Sequence, residues 1–154
     1  LTIGVLESVE AWTPVVALRN SLYAYPLVNG VHILGVALLV GSIVPLDLRL
    51  AGLWSSVAIQ PLWRILARMA LAGFVLAAVS GTFLFATRAT EYADSWLFLA
   101  KLGLIGLAGL NALWLIGTVG AASRVDRPAV RIAACLSALA WVSVLFLGRL
   151  VGYF

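Results

Sequence analysis

The chain has 154 residues, 64% of them hydrophobic and only 10% charged, with a mean hydropathy of +1.11. Soluble domains run at about 45–50% apolar and about 25% charged, which excludes a water-soluble enzyme, a disordered chain and a nucleic-acid-binding domain. Ten basic residues against six acidic ones give +4, and in so apolar a chain that excess reads as membrane topology.

The first element is a segment over residues 1–22. It carries Glu7 and Glu10 early, lacks a basic start and has no long apolar run, so it is read as an amphipathic helix on the membrane surface and not as a signal peptide. Thr13-Pro14 has the form of an N-cap and first helical residue, and Trp12 suits the headgroup level. A membrane helix needs about 20 apolar residues. Four stretches qualify, predicting transmembrane helices over about 25–50, 63–88, 95–120 and 128–150 in an all-α four-helix bundle.

Pro26, Pro61 and Pro128 sit where a span or its lead-in begins, as proline suits a first helical turn. Pro45 falls late in the first span and removes the hydrogen bond to the Gly41 carbonyl, so a kink or an early exit is expected there. Ser95 and Asp126 are the expected N-caps of the third and fourth spans. Arg49, Arg64, Arg68, Arg124, Arg127 and Arg131 cluster in or beside two loops and face only Asp47 and Asp126. The positive-inside rule puts those loops in the cytoplasm and both termini outside.

His32 is the only histidine, about two turns inside the outer end of the first span. Ionisable side chains at such depth are rare and usually face the bundle interior. Asn29, Gly35 and Ser42 share its face. Two readings stand for this imidazole, a ligand to a metal or haem iron, or a hydrogen bond that ties helices together. Gly73, Ala77 and Gly81 recur every four residues on the second span, and Gly103, Gly106 and Gly109 mark the third. Such strips serve close helix approach, or leave room for a planar cofactor.

Lys101, Arg149 and Arg88 fall on the same outer side as His32. For Arg88 snorkelling to the interface is the expected role. Lys101 is embedded in an apolar segment, and with Arg149 it suits the two propionates of a haem whose iron rests on His32. Met69 and Cys135 lie in the other half, so no second protein ligand at that depth is evident, and a copper site would want several clustered ligands. Asp47 is expected to pair with Arg64 or Arg68, and Asn111 to hydrogen-bond between helices.

The run Tyr25-Pro26-Leu27-Val28-Asn29-Gly30-Val31-His32-Ile33-Leu34-Gly35, continued by Asp47-Leu48-Arg49-Leu50-Ala51-Gly52, resembles a family of small bacterial four-helix membrane proteins of unknown function. Lys101-Leu102-Gly103-Leu104 and Ala108-Gly109-Leu110-Asn111-Ala112-Leu113 resemble it too. More distantly, a first-span His followed by small residues is similar to HemJ-type protoporphyrinogen oxidases and to the membrane domain of CopD-type copper-resistance proteins. The HemJ-type resemblance implies haem b, with His32 as axial ligand and Lys101 as the lysine opening the third span. The chain departs from both groups in having no further histidine.

The leading expectation is therefore an integral protein of the bacterial inner membrane, with both termini periplasmic, binding haem b. It would exchange electrons or hydrogen with a quinone or a partner protein. The alternative is an accessory or anchor subunit without a cofactor, in a homo-oligomer or larger membrane complex. Metal or small-solute transport is a third reading, for which four helices supply little material unless the chain oligomerises.

Overall fold

The computed structural model describes residues 2–122 and 127–152. Seven helices follow one another: α1 (Thr2–Glu10), α2 (Thr13–Asn20), α3 (Ala24–Ala51), α4 (Ile59–Ala86), α5 (Ala89–Asp94), α6 (Trp96–Ala122) and α7 (Pro128–Leu150). Helices α3, α4, α6 and α7 are long and apolar enough to cross a membrane. The chain is an all-α, multi-pass membrane protein built as a four-helix bundle.

Glycine sets the tightest seam. A Cβ at Gly35 of α3 would lie 2.6 Å from the Ala77 nitrogen, and one at Gly73 of α4 would lie 2.5 Å from the Leu39 nitrogen. The two backbones therefore touch, as small residues permit between membrane helices. From this pair the bundle extends as α3 on α7 and α7 on α6. Between α3 and α7, Leu39 and Trp141 share a cluster with Ala70 and Ala108. Nearer the α3–α4 turn, Leu50 meets Leu115, Val119, Val130, Ala133 and Ala134, with Trp63 against them.

Pro45 does not end α3. The helix runs six residues further to Ala51 and stops at Gly52, whose φ of 115° needs a residue without Cβ. The expected early exit is thus corrected: one missing N–H is tolerated in a helix held on both sides by neighbours. The second span starts earlier than read, at Ile59, because the polar Gln60 and Arg64 are carried on exposed helical turns.

The N-terminal segment forms two short helices, with Trp12 at the N-cap position of α2 and Thr13 already helical. Ser95 caps α6 as expected, accepting the Phe98 N–H at 3.4 Å. Asp126 and Arg124 lie outside the described residues, and Arg127 precedes α7 in extended conformation. Asn111 donates to the Ala133 carbonyl at 2.9 Å, joining α6 to α7.

Helix α5 was not legible as a helix, and it serves as a dock for α1. Glu10 accepts the Thr90 N–H and the Thr90 hydroxyl, both at 2.7 Å. These bonds favour the carboxylate and hold its pKa below the ordinary glutamate value.

Three outcomes are expected. Gly73→Ala forces the α3–α4 seam apart and costs about 1–3 kcal/mol, read as a lower thermal midpoint in detergent. Gly103→Ala, where an added Cβ meets nothing within 4 Å, is neutral or stabilising by up to about 1 kcal/mol. The Glu10 contribution is present above the ordinary glutamate pKa of about 4.3 and disappears as pH falls through the lowered folded value. Hydrogen exchange in α1 should accordingly rise in acid and in Glu10→Gln at neutral pH, and unchanged protection in both would refute the latch.

Candidate functional site

His32 is positioned by the glycine seam. Its Nδ1 lies 2.9 Å from the Ala77 carbonyl oxygen and 3.3 Å from Ser80 Oγ. A carbonyl only accepts, so Nδ1 must carry the ring proton. Ser80 sends its own proton to the Leu76 carbonyl at 2.6 Å, which leaves its oxygen to accept as well. The tautomer is thereby fixed, and Nε2 keeps its lone pair for another partner.

The ring rests on Gly81, where an added Cβ would come within 3.0 Å of Cε1 and 3.2 Å of Nδ1. The Gly73, Ala77 and Gly81 strip therefore divides its work. Gly73 and Ala77 admit the α3 backbone, and Gly81 admits the imidazole. Ala77 then offers the carbonyl that orients it.

Lys101 reaches the same end of the bundle from α6. Its side chain lies across Gly148 of α7, where a Cβ would sit 3.0 Å from Nζ. Arg149 follows Gly148 in the last turn of α7 and is exposed. Of the five residues singled out in the sequence, the structure gives His32 and Lys101 defined seats, on Gly81 and Gly148, at the same end of the bundle. Gly35 is taken up by contact with the α4 backbone, and Asn29 is exposed on α3.

An aromatic group that the sequence reading missed closes this end. Phe85 of α4 stacks on Phe98 of α6 with centroids 5.3 Å apart and planes 10° from parallel. Tyr92 of α5 lies 5.3 Å from Phe98 and 6.2 Å from Phe85. Burial among these rings, and then the nearby Tyr25, raises the Tyr92 phenol pKa, so it stays a neutral donor. The signal was an aromatic at each end of the α4–α6 connection, which gains meaning only once α5 folds it back.

At the far end of α3, Asp47 departs from expectation. It is 3% exposed and turned to the Ser137 hydroxyl of α7, with Oδ2 unpartnered. It does not reach Arg64 or Arg68, because it projects into the α3–α7 seam while both arginines are exposed on α4. Trp141 Nε1, one turn beyond Ser137 on α7, is also buried without a partner among the described residues. Its ring makes an edge contact with Phe74 at 6.2 Å.

Among the described residues no three His, Cys, Asp or Glu side chains come together as a metal-binding group. The donor set at His32 is one imidazole nitrogen, which suits a haem iron and not a multi-ligand metal centre. Set against protein-family models, curated proteins and solved structures, the chain finds no match.

Ser137→Ala, which removes the hydroxyl facing a buried carboxyl, is expected to cost about 1–3 kcal/mol. Thermal unfolding in detergent reads this as a lower midpoint, and an unchanged midpoint would contradict the contact.

Proposed function

We propose that the chain is a haem-b-type redox protein of the bacterial inner membrane, with His32 as the protein ligand to iron and Lys101 and Arg149 as the cations for the propionates. The observation that carries this reading is the His32 tautomer, with Nδ1 held by the Ala77 carbonyl and Nε2 left with its lone pair. Bound haem b supplies a one-electron couple. The Ala77 carbonyl orients the imidazole and raises its basicity, the role such outer partners play for histidine ligands. Gly81 gives the ring its seat. Lys101, embedded beside Gly148, offers a charge-assisted hydrogen bond to a carboxylate. Phe85, Tyr92 and Phe98 pack as an apolar cluster at this end of the bundle.

A quinone in the bilayer or a partner protein would exchange electrons or hydrogen with this site. The positive-inside distribution supports periplasmic termini, which puts His32 in the outer half of the membrane. A second reading, a cofactor-free subunit of a homo-oligomer or larger complex, is favoured by one observation. A Cβ at Gly103, Gly106 or Gly109 would meet nothing within 4 Å, so this face of α6 is open to a helix from another chain.

The test is the absorption spectrum of protein purified from a host supplied with haem. A Soret band that shifts on reduction, is lost in His32→Ala and is about tenfold weaker in retention in Lys101→Ala fits the redox reading. A colourless wild-type protein would remove the haem assignment and favour the subunit reading. A Soret band unchanged in His32→Ala would remove the ligand.

A further inference from the structure

One face of α4, at the end opposite His32, presents cations to the bilayer with no carboxylate among the described residues to balance them. Gln60, Trp63, Arg64, Ala67 and Arg68 line a hollow of about 250 Å³. Gln60, Arg64 and Arg68 follow one another at intervals of four, so they stack on one helical face. Both arginines are exposed. The helix has 28 residues, about 42 Å at 1.5 Å per residue, whereas the hydrocarbon core takes about 20. Arg64 and Arg68 therefore lie in the first turns of the crossing, where an uncompensated cation is unfavourable. Helical side chains tilt toward the N-terminus of their own helix, which here directs both guanidinium groups back to the headgroup layer.

No carboxylate of the chain meets them among the described residues. Helix α4 has no acidic residue, the Asp47 carboxyl is buried toward Ser137, and the recorded ion pair is Arg88 with Glu91 at the other end. Like charges at this spacing repel, so an anion between them removes two penalties at once. Trp63 is fixed by its contact with the Leu50 and Val130 cluster and forms a rigid wall at interfacial depth. Ala67 leaves the floor open.

We propose that this face of α4 is a binding site for the phosphodiester of an anionic phospholipid, clasped by Arg64 and Arg68 with Gln60 and Trp63 at the headgroup. Guanidinium groups match phosphate oxygens two at a time. One phosphodiester carries one negative charge against two arginines, so a headgroup without a cation of its own is preferred over a choline headgroup. The site stands independently of the haem reading.

The experiment is native mass spectrometry of the full chain in equal amounts of phosphatidylglycerol and phosphatidylcholine. Wild type is expected to retain phosphatidylglycerol preferentially. Arg64→Gln/Arg68→Gln should reduce that preference by roughly twenty-fivefold, about fivefold for each arginine, with an unchanged thermal midpoint because both side chains are exposed. Arg19→Gln/Arg88→Gln, which removes the same charge at the other end, should keep it. The proposal is overturned by no preference in wild type, by equal preference in the Arg64/Arg68 variant, or by equal loss in the Arg19/Arg88 variant. Inorganic phosphate binding the delipidated protein as tightly as phosphatidylglycerol would also overturn it, since that describes a free-anion site.

Discussion

Everything at the His32 end depends on two helix backbones being allowed to touch. Gly35 and Gly73 leave no room for a Cβ between α3 and α4, and this contact fixes the rotation of each helix about its axis. With α3 so placed, His32 falls opposite the Ala77 carbonyl and above Gly81. A side chain at Gly73 would separate the helices and move the imidazole from its acceptor. Apolar burial alone does not provide that precision in a membrane, where lipid is as apolar as the helix surface and packing geometry takes over.

The rest of the polar inventory obeys the same economy. Polar contacts between transmembrane helices join a side chain of one helix to a group on its neighbour: Asn111 with the Ala133 carbonyl, Asp47 with Ser137, His32 with the Ala77 carbonyl. The charged groups that cannot be satisfied internally are moved to the ends. Arg49 donates to the Val57 and Ser55 carbonyls and ties down the α3–α4 turn, whereas Arg64 and Arg68 face outward. The open Gly103, Gly106 and Gly109 face shows that small residues alone do not determine use: the strip on α4 is consumed by packing, and the one on α6 is not.

The four spans were legible because a bilayer demands about 20 apolar residues at a stretch, and that demand leaves a mark in composition. Local signals also read through, as with Ser95 capping α6, whereas Gly52 as the stop of α3 did not, because Pro45 drew the expected exit forward. Long-range partners did not. His32 meets a carbonyl 45 residues away, and every residue has a carbonyl, so no residue type announces that role. Asp47 was assigned to Arg64 or Arg68 by charge, whereas its helical face points it at a serine. Helix α5 is only six residues long, too short for periodicity to reveal. Gly81 was seen as part of a strip, and its separate use as the seat of a ring appears only in three dimensions.

The central claim is that the α4 carbonyl fixes the tautomer of the single histidine. Because His32 is the only histidine, nitrogen NMR of uniformly ¹⁵N-histidine-labelled protein, freed of any bound iron, reports it without assignment. The account predicts a protonated Nδ1 and an unprotonated, pyridine-like Nε2. A protonated Nε2 with a bare Nδ1, or an average of the two tautomers, would contradict it.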